Sequence, residues 1–131
     1  MDLGNFGKEL LHEIHKSAED YLEMILMLQE RKGYARSIDI AAGLNVSKPS
    51  VSFAMKQLRE NGYITMDEGN VIRLTGQGQE VAARVYQRHK VLTKFLVRIG
   101  VEEDQAREDA CKIEHDISAA TFEAIARHIG E

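Results

Sequence analysis

The sequence predicts a mostly α-helical protein with an N-terminal winged helix-turn-helix and its β-hairpin wing, followed by an all-helical part. Three observations lead there. Apolar residues recur at helical spacing over most of the chain, which holds one proline and ten scattered glycines. Two short helical patterns follow each other directly between Ser37 and Leu58, the second opening on Ser47-Lys48-Pro49. Just after Gly62, two short alternating runs flank Asp67-Glu68-Gly69-Asn70, which is hairpin-turn chemistry.

Composition bounds the possibilities. The 131 residues suit one compact unit or two small subdomains sharing a core. The longest purely apolar run, Met24 to Leu28, is far below the roughly 18 residues of a membrane span, and the N-terminus lacks a signal-peptide pattern. A cytoplasmic protein with no membrane partner is therefore expected. A single cysteine, Cys111, forms no internal disulfide and belongs in a reducing compartment as thiol or metal thiolate. The net charge of -4 argues against a chain that is basic all over. Residues 31–63 nevertheless carry six basic residues against two acidic ones, a local charge of +4. A basic module for DNA attached to an acidic module that gathers cations fits this distribution.

Taken in order, residues 1–16 place Leu10, Leu11 and Ile14 at helical spacing, so a frayed start and a short helix are expected. His12 and His15, three apart, have a spacing that could hold a metal, but near a terminus they read first as a solvated face. Ser17 is expected to cap the next helix, which presents Tyr21, Leu22, Ile25, Leu26 and Leu28 to the core and ends before Gly33. Asp20 and Glu23 are neighbours on that helix; by themselves they read as a helix-dipole partner and a solvent residue. Ser37 to Leu44 reads as a helix packing through Ile38, Ala41, Ala42 and Leu44, and Gly43 to Val46 as a turn. Ser47 then caps a second helix with Pro49 in its first turn, an apolar stripe of Val51, Ala54, Met55 and Leu58, and Gly62 at its end. Tyr63–Met66 and Val71–Thr75 form the wing.

Thr75 can cap a long helix running to about Arg98, apolar at Val81, Val85, Leu92, Phe95, Leu96 and Ile99 and stopped by Gly100. Glu102 to Ile117 forms the next helix, and Ser118 caps a last one presenting Phe122, Ile125, Ala126 and Ile129. His128, in its final turn, favours the helix C-terminus when charged. The expected organisation is a DNA-binding domain over residues 1–75, with an N-terminal extension over 1–16, and a helical domain over 76–131.

A helix-turn-helix followed at once by a hairpin points to double-stranded DNA. Arg36, Lys48, Lys56 and Arg59 are the candidate phosphate contacts, and Ser47, Ser50 and Ser52 stand where phosphate or base edges are reached; Ser37 and Pro49 complete the DNA-facing set. In the helical part, Cys111, Glu114 and His115 stand at i, i+3 and i+4, which puts thiol, carboxylate and imidazole on one helix face. These are the side chains that bind divalent transition metals. The same spacing also suits an amphipathic helix with a buried Cys and a solvated Glu-His pair. His89 gains weight only if it faces Cys111.

From about Ala18 onward the chain resembles the DtxR/MntR family of metal-activated transcriptional repressors. Ala18-Glu19-Asp20-Tyr21-Leu22-Glu23 is similar to that family's first helix, and Gly33-Tyr34-Ala35-Arg36 to its loop. Val46-Ser47-Lys48-Pro49-Ser50-Val51-Ser52 is similar to the entry of its recognition helix, and Cys111-Lys112-Ile113-Glu114-His115 to its metal helix. The resemblance implies that Asp20, Glu23, His89, Cys111, Glu114 and His115 hold metal, in a site bridging the DNA-binding part and a metal-binding and dimerisation domain. Asp20 and Glu23 look like the manganese branch, Cys111 like the iron branch. Thr93 and Arg107 stand where the iron branch's ancillary site has a carboxylate and a histidine, which implies that this second site is absent. The implied layout is that of the two-domain manganese regulators, without the SH3-like third domain of the iron branch.

The expected function is a repressor that binds a pseudo-palindromic operator as a homodimer when Fe(II) or Mn(II) is bound, with Zn(II) and Co(II) as alternatives. No organic small-molecule substrate and no enzymatic activity are expected; the chain lacks a His-Glu-x-x-His run. The alternative is a winged-helix regulator that responds to an organic ligand or to oxidation of Cys111.

Overall fold

A computed structural model describes the backbone of residues 3–130 and the side chains of residues 16–130. Its elements are α1 (Leu3–Lys32), β1 (Ala35–Arg36), α2 (Ser37–Leu44), α3 (Lys48–Glu60), β2 (Ile64–Met66), β3 (Val71–Leu74), α4 (Gly76–Arg98), α5 (Glu103–Ile113) and α6 (Ala119–Gly130). They fall into two units, Met1–Ala83 and Arg84–Glu131.

The first unit begins with a correction. Ser17 does not cap a helix; it lies inside α1, which runs unbroken from Leu3 to Lys32. No proline or glycine stands between Lys8 and Lys32, and extending a helix costs less than ending one and nucleating another. The side chains of His12 and His15 lie outside the described residues. Leu22, Ile25, Ile40, Val51, Met55, Leu58, Ile64 and Ile72 build this unit's core. Ile38, expected to pack, is exposed instead, because its position on the short α2 falls off the face that buries Ile40 and Ala41.

Between α2 and α3 the chain turns at Asn45, whose left-handed backbone (φ 55°) suits an asparagine. The Asn45 and Val46 N–H groups both donate to the Ala41 carbonyl. Ser47 then caps α3, accepting from the Ser50 N–H at 3.3 Å, with Pro49 in the first turn. Gly62, at φ +83°, closes α3: Tyr63 N donates to Leu58 O at 2.9 Å and Gly62 N to Arg59 O at 3.1 Å.

The wing is β2 and β3, antiparallel, with Thr65 opposite Arg73. A third strand, too short to read in the sequence, extends the sheet to the order β1-β3-β2, with Ala35 opposite Ile72. Asp67 organises the wing tip. Its Oδ1 accepts from the Gly69 N–H at 3.0 Å and the Val71 N–H at 3.1 Å, and its Oδ2 lies 3.6 Å from Arg73 Nε. These contacts hold its carboxyl below the usual carboxylate range, the Val71 N–H first among them. At the hairpin's base, Thr75 Oγ1 donates to Gly62 O (2.7 Å) and accepts from the Gly78 N–H (3.1 Å), capping α4 as the sequence suggested.

In the second unit, Val85, Leu92, Ala106, Ala110 and Ile129 are buried. Glu102 caps α5 through its own carboxylate, which accepts from the Asp104 and Gln105 N–H groups. Two expectations are corrected. Ile99 lies beyond the end of α4 and is exposed. The helix expected over Glu102 to Ile117 stops at Ile113, where a turn takes over with the Asp116 and Ile117 N–H groups both on the Ile113 carbonyl (3.0 and 3.2 Å), and Ser118 then caps α6, accepting from the Thr121 N–H at 3.1 Å.

Candidate metal centre and DNA-binding face

The candidate DNA-contact residues come from β1, the start of α2, and α3 with its N-cap. Arg36, Ser47, Lys48, Pro49, Ser50, Ser52, Lys56 and Arg59 are exposed, while Ser37 is half-buried at the start of α2. Arg36, Ser52, Lys56 and Arg59 line one groove of about 510 Å³ between α3 and the wing residues Met66 and Asn70. Three cations on one concave face suit a phosphate backbone. Arg36 also stacks over Tyr34, its guanidinium 5.4 Å from the ring centre. Ser47 has a local job, because its hydroxyl is engaged with Ser50 Oγ at 2.8 Å as well as with the Ser50 N–H. Lys32 hydrogen-bonds Asp39 at 3.0 Å, which raises its pKa and neutralises part of the basic window.

The metal candidates of the second unit come from α4, α5 and the turn after α5. Cys111 lies on the last turn of α5, and Glu114 is its C-cap, still helical at φ −59° and ψ −29°, with its N–H on the Ala110 carbonyl. Periodicity therefore keeps Cys111 and Glu114 on one side. His115 does not share that helix face; it lies in the turn beyond, which corrects the expectation of three ligands on one helix. It still approaches the group, with Nε2 3.2 Å from Glu114 Oε1. His89, from α4, brings Nδ1 to 3.7 Å from Glu114 Oε2. Glu114 is only 2 % exposed.

Ligand atoms of His89, Cys111 and Glu114 lie within 4.8 Å of one another. One ion with ligand bonds of about 2.0–2.3 Å can span such a set. Nitrogen, sulfur and carboxylate oxygen gathered around a buried carboxylate are the donor chemistry of a divalent transition metal, so the residues fit one. Asp20 and Glu23 belong to the first unit, where they stand one turn apart on α1, Asp20 half-buried and Glu23 buried. Thr93 and Arg107 have other partners: Thr93 Oγ1 donates to His89 O at 2.8 Å, and Arg107 pairs with Glu103 and Asp104 along α5.

Two residues escaped the sequence reading. Arg88 reaches from α4 to the Ile117 carbonyl (3.4 Å) and lies over Phe122 (5.0 Å), pinning the chain just after Glu114 and His115; only its tertiary partners reveal this. Phe53 is exposed on α3, and its place off the apolar stripe of Val51, Met55 and Leu58 was a usable signal.

A winged helix-turn-helix with cations along its exposed face, in one chain with nitrogen and sulfur donors gathered around a buried carboxylate, defines a DNA-binding protein of the metal-responsive class. Comparison with known proteins gives the family. The N-terminal DNA-binding domain of the iron dependent repressors matches residues 13–69, and their metal binding and dimerisation domain matches residues 75–131. The chain belongs to this family of metal-dependent transcriptional repressors. It is 38% identical over 110 residues to the HTH-type transcriptional regulator MntR of Lysinibacillus sphaericus, covering 84% of this chain and 79% of that protein. Among solved structures, IdeR of T. acidophilum superposes with a TM-score of 0.79 at 32% identity, over 86% of this chain and 54% of that one. The manganese regulator SloR does so with a TM-score of 0.77 at 30% identity, over 86% and 53%. The chain thus spans about half the length of these solved relatives. Among the described residues, no helix is long and apolar enough to cross a membrane.

Proposed function

We propose that this protein is a metal-activated repressor that binds a pseudo-palindromic operator as a homodimer in the cytoplasm when Fe(II) or Mn(II) is bound. His89, Cys111, Glu114 and His115 from the second unit, with Asp20 and Glu23 from the first, make up the ligand set. The observation that carries this reading is the grouping of His89, Cys111 and Glu114 within 4.8 Å around a buried carboxylate. Asp20 and Glu23 join on the strength of the sequence resemblance. Support for manganese comes from the manganese regulator among the structural neighbours; the thiolate of Cys111 weighs toward iron, cobalt or zinc.

The residues suggest how binding couples to DNA. Gathering Asp20, Glu23, Glu114 and a Cys111 thiolate is opposed by like-charge repulsion. A divalent cation supplies the positive charge that reverses the sign of that interaction. In a symmetric dimer, the two copies of α3 must then present themselves about one DNA turn apart, roughly 34–36 Å, or a multiple of it. Moving such a switch from mostly off to mostly on takes a preference of about 10⁴-fold for the competent state, or about 5.5 kcal/mol. Arg36, Lys48, Lys56 and Arg59 then position the duplex by phosphate contact.

The test is DNA selection by the metal-stripped full chain from a random duplex library, with Mn(II), Fe(II), Zn(II) or Co(II) restored anaerobically at buffered free concentration. A palindromic duplex should be enriched only with metal, and lost in Cys111→Ala and in Asp20→Ala. Equal enrichment with and without metal would sink metal activation and favour oxidation of Cys111 as the signal.

A further inference from the structure

Phe53 is the most exposed large apolar side chain among the described residues, at 67 %. It stands in the second turn of α3, the second helix of the helix-turn-helix. At about 100° per residue, the buried Val51, Met55 and Leu58 fix the inward direction of α3, and Phe53 points almost directly opposite, on the outer side that Pro49 and Lys56 share. The N-terminal half of such a helix is what enters the major groove. Leaving a phenyl ring in water there forgoes the burial free energy that its neighbours gain.

The rest of this face makes the ring's role specific. Bidentate reading of a base edge needs arginine, lysine, asparagine or glutamine at the groove floor. The first two turns of α3, Lys48 to Met55, contain none of these except Lys48 at the mouth of the helix. The serines there are short, and Ser47 and Ser50 hydrogen-bond each other at 2.8 Å. Phe53 is therefore the one large side chain in these turns placed to touch a base, and its chemistry matches one feature of the major groove, the C5 methyl group of thymine. The surroundings favour DNA as the occupant, since Lys56 is the ring's neighbour three residues on along the same helix and residues 31–63 carry a local charge of +4.

We propose that Phe53 is a specificity-determining residue that reads a thymine in each operator half-site by apolar contact with its methyl group. This rests on the DNA-binding reading above and adds how sequence is chosen. Phe53 also borders a second groove, of about 490 Å³, with Tyr21 and Val46; a second copy of the chain seated there is the competing occupant, which the test separates.

The full-length wild-type and Phe53→Ala proteins are each taken through selection on random duplexes with Mn(II) and with Fe(II). The enriched wild-type duplex is then rebuilt with deoxyuridine replacing thymine, one position at a time. Removing the methyl group that Phe53 covers should weaken the wild type roughly four-fold per half-site, the worth of about 0.8 kcal/mol for one buried methyl-sized group. Phe53→Ala should bind more weakly, be indifferent to that same replacement, and select duplexes that tolerate any base there; Phe53→Leu should keep part of the sensitivity. Identical uridine profiles for the wild type and Phe53→Ala, with the same base preferences, would overturn the proposal while leaving the DNA-binding reading intact. So would a change in sedimentation of Phe53→Ala without DNA, which would place the ring between copies. Failure of the wild type to enrich any duplex would overturn both.

Discussion

Substituting Gly78 by alanine tests the joint between the wing and α4. Gly78 lies in the first turn of α4 and is buried. A Cβ built there would stand 3.0 Å from the carbonyl carbon of Tyr63, nearer still to its oxygen, and 3.3 Å from Leu74 Cδ2. Main chain cannot swing aside like a side-chain tip, so the base of the hairpin must move. Three hydrogen bonds meet at that point: Thr75 N to Tyr63 O at 3.0 Å, Thr75 Oγ1 to Gly62 O at 2.7 Å, and Gly78 N to Thr75 Oγ1 at 3.1 Å. Overpacking costs about 1–3 kcal/mol, and each weakened hydrogen bond adds about 0.5–1.5 kcal/mol. Alanine's better helix propensity returns up to about 1 kcal/mol. The net loss should be about 3 kcal/mol, or a fall in Tm of roughly 10 °C for a chain of this size. Gly76→Ala is the internal control, since nothing lies within 4 Å of a Cβ at Gly76; it should be neutral or stabilising by up to about 1 kcal/mol. Urea unfolding followed by circular dichroism measures both. A loss below about 0.5 kcal/mol in Gly78→Ala, equal to that of the control, would refute the argument that the Tyr63 carbonyl demands a glycine.

Three further outcomes are expected. Glu114→Gln keeps the shape but removes the buried charge between His89 and His115, so Mn(II) affinity by calorimetry should fall at least about ten-fold; unchanged affinity would take Glu114 out of the ligand set. Replacing Lys48 by alanine should weaken operator binding and reduce the slope of log affinity against log salt by about 1, and an unchanged slope would remove Lys48 from the phosphate contacts. Asp67 has a lowered pKa in the folded wing, so its contribution is present above its ordinary value of 3.8 and is lost as pH falls through the folded pKa. Amide exchange at Gly69 and Val71 should therefore accelerate, relative to the rest of the sheet, on acidification below that value; in Asp67→Asn, whose amide oxygen accepts at every pH, this dependence should vanish.

The sequence by itself determined whatever depends on neighbours along the chain. Ser47 with Pro49, Thr75 and Ser118 marked three helix starts because capping is local hydrogen bonding between residues two or three apart. Asp67 to Asn70 marked the wing for the same reason. The i, i+3 relation of Cys111 and Glu114 was readable from helical periodicity, but the exit of His115 from that helix was not, since it follows from the turn that takes over at Ile113. Nor could spacing tell that Ser17 would be passed over, as a serine caps only where a helix begins, and α1 had already begun well before it.

Tertiary structure alone decided the matters that rest on packing. The two residues of β1 are a strand only because β3 offers its edge to Ala35 and Arg36. His89 stands far along the chain from Cys111 and Glu114, and only the folded second unit brings their ligand atoms within 4.8 Å. The burial of Glu114 belongs there too: a carboxylate at a helix end is solvated by default, and only the packing around it withdraws it from water. Local hydrogen bonds and periodicity are written in adjacent residues, whereas which face meets which is set by the free energy of burying many side chains at once.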